Sequence, residues 1–149
     1  MSFEQTRDIL EKARLFHHEL RAFYSRMEET AQRDRIRMLL EYLGRREAHL
    51  EERLAEYERN ASRDMLDQWF RFAPAQHIGE EISRVRLRPD PTPEELIAVA
   101  LKLDEELLRI YRQAAELAPD DAVRELFTRL FEEGKQERSN LVLSVFEPI

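Results

Sequence analysis

The sequence predicts an all-α protein: a four-helix bundle made of two repeated antiparallel hairpins joined by a long crossover connection. Three observations carry this. Segments 15–31 and 102–118 share one helical pattern, and 36–54 and 123–141 share a second, at an offset of about 87 residues with no gap. Tyr24 matches Tyr111, Ile36 matches Val123, Leu39 matches Leu126, Leu43 matches Leu130, and Leu54 matches Leu141. The chain has only three glycines, and Pro74, Pro89, Pro91 and Pro93 cluster in its middle, so long stretches on either side are free to be helical. Finally, the apolar residues recur in alternating steps of three and four, the spacing of one face of a helix.

Taken in order, the first helix is expected from about Phe3 to Thr30, with Ser2 and Gln5 as a capping box. Its seam is Ile9, Ala13, Phe16, Leu20, Phe23 and Met27. Asp34 can cap the second helix, whose seam reads Ile36, Leu39 or Leu40, Leu43, Glu47, Leu50, Leu54 and Tyr57. In the third, Thr92-Pro93-Glu94-Glu95 combines a capping hydroxyl, a proline at the first helical position and an acid at the third. Leu96, Ala100, Leu103, Leu107, Ile110, Ala114 and Leu117 form its seam. Pro119-Asp120 breaks the chain before the fourth helix, which carries Val123, Phe127, Leu130, Gly134, Glu137, Leu141 and Val145.

Short turns near Arg33 and Pro119 make each hairpin antiparallel. The expected organisation is one domain, 1–149, with a first hairpin at 1–58, a crossover with short helices at 59–92, and a second hairpin at 93–149. Within the crossover, Met65, Leu66, Trp69 and Phe70 follow helical spacing, and Ile78, Ile82 and Val85 suggest another short amphipathic piece. Trp69, Phe70 and Phe72 concentrate aromatic side chains there, either to cap one end of the core or to let the protein self-associate as a homodimer. Arg84-Val85-Arg86-Leu87-Arg88 reads as a solvated edge or as an anion or partner contact.

Composition narrows the function. The 149 residues suffice to bury about two thirds of the unfolded surface in one core. No apolar run reaches the length of a membrane span, and Met1-Ser2-Phe3-Glu4 lacks a signal peptide's basic-then-apolar layout, so a cytoplasmic protein is expected. The absence of cysteine excludes disulfides, thiolate chemistry and iron–sulfur clusters. A net charge of −7 argues against a nucleic-acid partner. No serine–histidine–aspartate order or phosphate-cradling glycine loop stands out, so the residues give no sign of an enzyme.

Polar residues interrupt the apolar seams at matching heights. Glu47 and Glu137 lie on their seams, whereas His17 and Asp104 flank theirs. His17 and Glu47 are each about fifteen residues from the first turn, and Asp104 stands equally far from the second, with Gly134 and Glu137 straddling that distance beyond it. Each hairpin therefore offers one inward polar layer near mid-helix, and the two meet if the hairpins pack centre to centre. A carboxylate on a core stripe is expensive unless paired or metal-bound.

Segments 15–24 and 102–111, with 43–54 and 130–141, resemble the four helices of the ferritin-like, and especially rubrerythrin-like, di-iron carboxylate bundles. That family carries a glutamate on the first helix of each hairpin and Glu-x-x-His on the second. At those positions this chain has His17; Glu47 with Leu50; Asp104; and Gly134 with Glu137. Only Glu47 is an unchanged ligand. The resemblance thus implies a degenerate di-iron site in a non-catalytic binding or structural module. The alternative is a mononuclear site in which His17, Glu47, Asp104 and Glu137 hold one Fe, Mn or Zn ion and support rubrerythrin-like redox or peroxide chemistry. Without metal, the four would pair with one another, with water, or with arginines such as Arg46 and Arg138. His49 and His18 lie off the seam and are expected to face outward, and His77 falls in the crossover.

Overall fold

The computed structural model describes residues 3–75 and 77–146, without the side chains of Val145 and Phe146. The proposed Ser2 half of a capping box lies outside the described residues, as does the Val145 side chain. Four long helices dominate: α1 (Thr6–Thr30), α2 (Asp34–Asn60), α5 (Pro93–Glu116) and α6 (Asp121–Phe146). Between them the crossover holds α3 (Arg63–Asp67), β2 (Trp69–Phe70) and α4 (Glu80–Ser83). A short strand, β1 (Glu4–Gln5), precedes α1.

Two of the long helices start on the caps their residues offer; at α2 the expected Asp34 cap is absent, because Asp34 is already the first helical residue and Arg33 takes the N-cap position with no side-chain bond. Glu95 N–H donates to the Thr92 hydroxyl at 3.1 Å and Thr92 N–H to the Glu95 carboxylate at 3.1 Å, a reciprocal cap behind Pro93. Asp120 accepts from Val123 N–H at 2.9 Å, satisfying one of the free donors at the start of α6. At α1 the cap is shifted: Gln5 N–H donates to Asp8 at 2.9 Å, and residues 4–5 are extended instead of helical.

That extension has a cause. β1 pairs antiparallel with β2, Glu4 opposite Phe70 and Gln5 opposite Trp69, so the crossover holds the N-terminal residues straight. The connection then travels along the bundle. It meets the start of α1 through the Thr6 N–H donation to Gln68 O, and it reaches the α1–α2 turn where Arg33 donates to Asp90 and to Pro91 O. α5 therefore begins at the turn end and runs in the same direction as α2, antiparallel to α1. A crossover of this length makes that arrangement possible; a tight loop would have made α2 and α5 antiparallel.

Four of the five matched pairs pack as equivalents; in the fifth, Leu126 is buried but Leu39 is only half-buried, because the neighbouring Leu40 takes the inward place. Tyr24 and Tyr111, Ile36 and Val123, Leu43 and Leu130, and Leu54 and Leu141 are all buried. Departures from the expected seams occur at their ends: Leu117 is exposed, Phe23 and Met27 are only half-buried, and Tyr24 takes the inward place near them. The crossover aromatics divide. Phe70 is buried edge-on against Phe127, 5.8 Å between ring centres, so it closes the core. Trp69 and Phe72 remain exposed. No helix among the described residues is long and apolar enough to cross a membrane.

Candidate functional site

Mid-bundle, α1, α2 and α5 converge on one buried ionic network. His17 Nδ1 lies 2.7 Å from Glu47 Oε1, with both side chains nearly inaccessible to solvent. Arg46 Nη1 donates to Glu47 Oε2 at 3.1 Å and to Asp104 Oδ1 at 3.2 Å, and its Nη2 donates to Asp104 Oδ2 at 2.5 Å. One guanidinium thus spans two carboxylates, bidentate on Asp104, in the geometry that suits its planar fork. All four carboxylate oxygens are already engaged. Arg46 Nε, by contrast, is buried without a partner.

The electrostatics follow from burial. Desolvation works against the Arg46 charge, but the fields of Asp104 and Glu47 overcome it and hold the guanidinium above its ordinary pKa. Burial raises the pKa of Asp104, and Arg46 cancels only part of that rise. Tyr24 lies within the same field: burial first, then Glu47 and Asp104, push its phenol well above its usual value, while Arg46 pulls it partly back. It is a neutral hydroxyl beside the network.

Of the four residues expected from the sequence, the structure brings three together. Glu137 stands apart. It lines the same small cavity, of about 50 Å³, as His17, Arg46 and Asp104, but its carboxylate turns outward to Arg53 Nη1 at 3.3 Å and is partly exposed. Arg53 also pairs with Glu133 at 2.8 Å, and Glu133 accepts from the Tyr57 hydroxyl at 2.7 Å. Burial and that hydrogen bond push the Tyr57 phenol up to about 12. Arg53 and Glu133 line this cavity too, and Leu50, Leu54, Leu107, Leu108 and Leu130 make the apolar part of its wall. A Cβ on Gly134 would lie 2.6 Å from Leu108 Cδ2, so Leu108 fills the space into which a longer side chain at 134 would project.

This donor set does not suit a dinuclear iron centre. Among the described residues, no group of three or more histidines, aspartates and glutamates is arranged to hold a metal ion. A permanent cation occupies the ground between Glu47 and Asp104, and leucines line the opposite side. The remaining histidines face outward: His18 and His49 are exposed, and His77 pairs with Glu80 at 2.9 Å on the surface. Arg84, Arg86 and Arg88 are absorbed locally, on Glu80 and Glu81, on backbone carbonyls and on Glu95 respectively.

Two features are not legible in the residue pattern. Leu108 reaching over Gly134 depends on the rotation of α5 against α6. Glu4 is fully buried, accepting from Ala75 N–H at 2.9 Å and from Lys12 at 2.5 Å, a clasp that exists only because the crossover folds back onto α1.

Comparison with known proteins points to the same architecture. No family model matches the chain, and no curated protein matches it in sequence. A solved structure from Thermotoga maritima, put forward as a ferritin-like diiron-carboxylate protein, superposes with a TM-score of 0.60 at 18% identity, covering 100% of this chain and 99% of that one. The fold is ferritin-like, a helical bundle whose middle layer carries an arginine between two acids.

Proposed function

We propose that this protein is a ferritin-like bundle whose dinuclear metal site has decayed, and that it works as a non-catalytic binding or structural module. The observation that carries the reading is the Arg46 guanidinium bonded to both Glu47 and Asp104, at the level where the di-iron bundles keep their metal. Glu47 is the one retained ligand, and its oxygens face His17 and Arg46. Leu50 and Gly134 remove a ligand from each second-helix motif, and Leu108 fills the room beside Gly134.

Elemental analysis of untagged protein purified without chelators tests this. The expected result is far less than one metal per chain and a melting temperature indifferent to chelator. Two irons per chain with rapid oxygen-dependent oxidation would overturn it. One tightly held Mn, Fe or Zn ion, whose removal lowers the melting temperature, would favour the mononuclear reading instead.

The partner of such a module is best sought at the end where Trp69 and Phe72 stand more than half exposed, together with Phe3. This patch supports self-association as a homodimer. Sedimentation of the wild type and of Trp69→Lys over a concentration series tests it; a wild type that stays monomeric at the highest concentration rules it out.

A further inference from the structure

The turn end of the bundle, away from Trp69 and Phe72, carries an inference that stands whether or not the middle layer holds metal. There the last part of the crossover, residues 85–91, passes over α1 and α2 as a strap with neither helix nor strand. It is pinned at both ends. Val85 N–H donates to Ile82 O at 3.2 Å, and Arg33 donates to Asp90 and to Pro91 O, each at 3.1 Å. Among the described residues, no backbone hydrogen bond ties the middle of the strap, 86–89, to the helices below. A cleft of about 330 Å³ lies between them. Phe23, Met27, Ile36 and Leu40 form its helical wall, and Val85 and Leu87 form the strap side. Ile36 and Leu40 are buried, whereas Phe23, Met27, Val85 and Leu87 are only half-buried, so the cleft leaves apolar surface partly uncovered.

We propose that this cleft binds a small apolar monoanion, of the class of medium-chain carboxylates, with its chain under the strap and its carboxylate on Arg86. Charge at the rim selects the head group. Arg88 pairs with Glu95, and Asp90 with Arg33. Arg86 also lines the cleft, but it donates only to Ser83 O and Val85 O, both at 2.9 Å, and among the described residues no carboxylate lies within ion-pair distance of it. One positive charge is therefore left unmatched at the rim, in a chain of net charge −7. A cationic ligand would be repelled there, and a neutral one would leave the guanidinium unmatched; a single carboxylate suits its planar fork. The walls select the tail. Covering the half-buried side chains removes apolar surface from water, which supplies the attraction. Small-molecule pockets measure about 300–1,000 Å³, so a cleft near the lower bound suits one short chain or ring and not a large cofactor. The alternation in Arg84-Val85-Arg86-Leu87-Arg88 acquires a use on this account: Val85 and Leu87 face the cleft while the exposed Arg86 stands at its rim.

The test uses the full-length protein with methyl-labelled methionine, titrated with decanoate and read by nuclear magnetic resonance. Met27 lines the cleft, whereas Met38 is exposed on α2 and Met65 lies in α3, so the methionine methyls report where a probe settles. Decanoate should move the Met27 signal saturably, one molecule per chain, and leave Met38 and Met65 in place. Decanol and decyltrimethylammonium keep the chain and change the head. Decanol should bind about fivefold more weakly than decanoate, the scale of one exposed ion pair, and the cation more weakly still. Arg86→Gln should bring decanoate down to the level of decanol and leave decanol unchanged. Arg86→Glu, also at an exposed position, should reverse the order, so that the cation binds better than decanoate. A Met27 signal unmoved by millimolar decanoate would overturn the site, as would a probe that moves Met65 instead. Affinities indifferent to the head group or to the charge at position 86 would overturn the role of Arg86. A Met27 signal that shifts with protein concentration alone would assign the cleft to a second copy of the chain and overturn the small-molecule reading.

Discussion

The two hairpins start from the same apolar pattern and part company at mid-bundle. The first brings His17, Arg46 and Glu47 inward as a buried, mutually bonded set. The second contributes Asp104 to that set, but otherwise offers Gly134, covered by Leu108, and a Glu137 that turns out to Arg53. The layer is therefore lopsided, ionic on one side and apolar on the other. Burial explains the asymmetry. Charges survive inside only where every partner is within reach, and Arg46 provides that reach from the first hairpin alone. On the opposite side Glu133 and Glu137 stay at the rim, paired with the partly exposed Arg53.

The sharpest way to break this comparison is to unbalance its ionic half. Arg46→Ala strands Glu47 and Asp104 and should cost about 3–5 kcal/mol of stability in urea denaturation. Replacing the set together, Arg46→Met with Glu47→Gln and Asp104→Asn, should return close to wild type, because no charge is left unpaired. If both variants lose equally, the network matters for its packing and not for its charge balance.

The outer half should respond less. Tyr57→Phe removes one partly exposed hydrogen bond to Glu133 and should cost about 1 kcal/mol. In the wild type, an ultraviolet titration should show a tyrosine ionising at about 12, absent from the variant.

Gly134→Ala tests the apolar side. Alanine should gain up to about 1 kcal/mol from helix propensity, less the cost of turning aside the end of Leu108, whose Cδ2 would lie 2.6 Å from the new Cβ, so the gain should be larger with Leu108→Ala in the background. Simple additivity of the two changes would show that Leu108 yields at no cost.

The smallest effect is a difference of slope with pH. Burial raises Asp104, so the folded state holds that proton more tightly than the unfolded one, and its ionisation lowers stability as pH rises from about 4 through the folded value. Surface Glu95 runs the other way. Arg88 and the Thr92 cap push it down to about 2, so its contribution is full above its ordinary value and is lost as pH falls towards 2. Measured against wild type in urea, Asp104→Asn should gain ground as pH rises from about 4, and Glu95→Gln should lose ground as pH rises from about 2 to 5. Parallel slopes for the two variants would contradict the assigned directions.

Much of this molecule was written in local sequence. The Thr92–Glu95 cap, the break at Pro119-Asp120, the four helices, their hairpin pairing and the height of the polar layer all follow from residues a few positions apart, because helix periodicity, capping and short turns act over one or two turns of chain. His17 beside Glu47 was legible in the same way, as two positions equally distant from one turn. Only the tertiary structure decided the rest. Whether Asp104 meets a metal or Arg46, whether Glu137 looks inward, whether Leu108 lies over Gly134 and whether Glu4 is buried depend on the rotation and spacing of elements tens of residues apart in the chain. A shift of a few ångströms there changes which charges are paired, and in a buried layer that choice of partner determines whether the site binds metal or closes around its own cation.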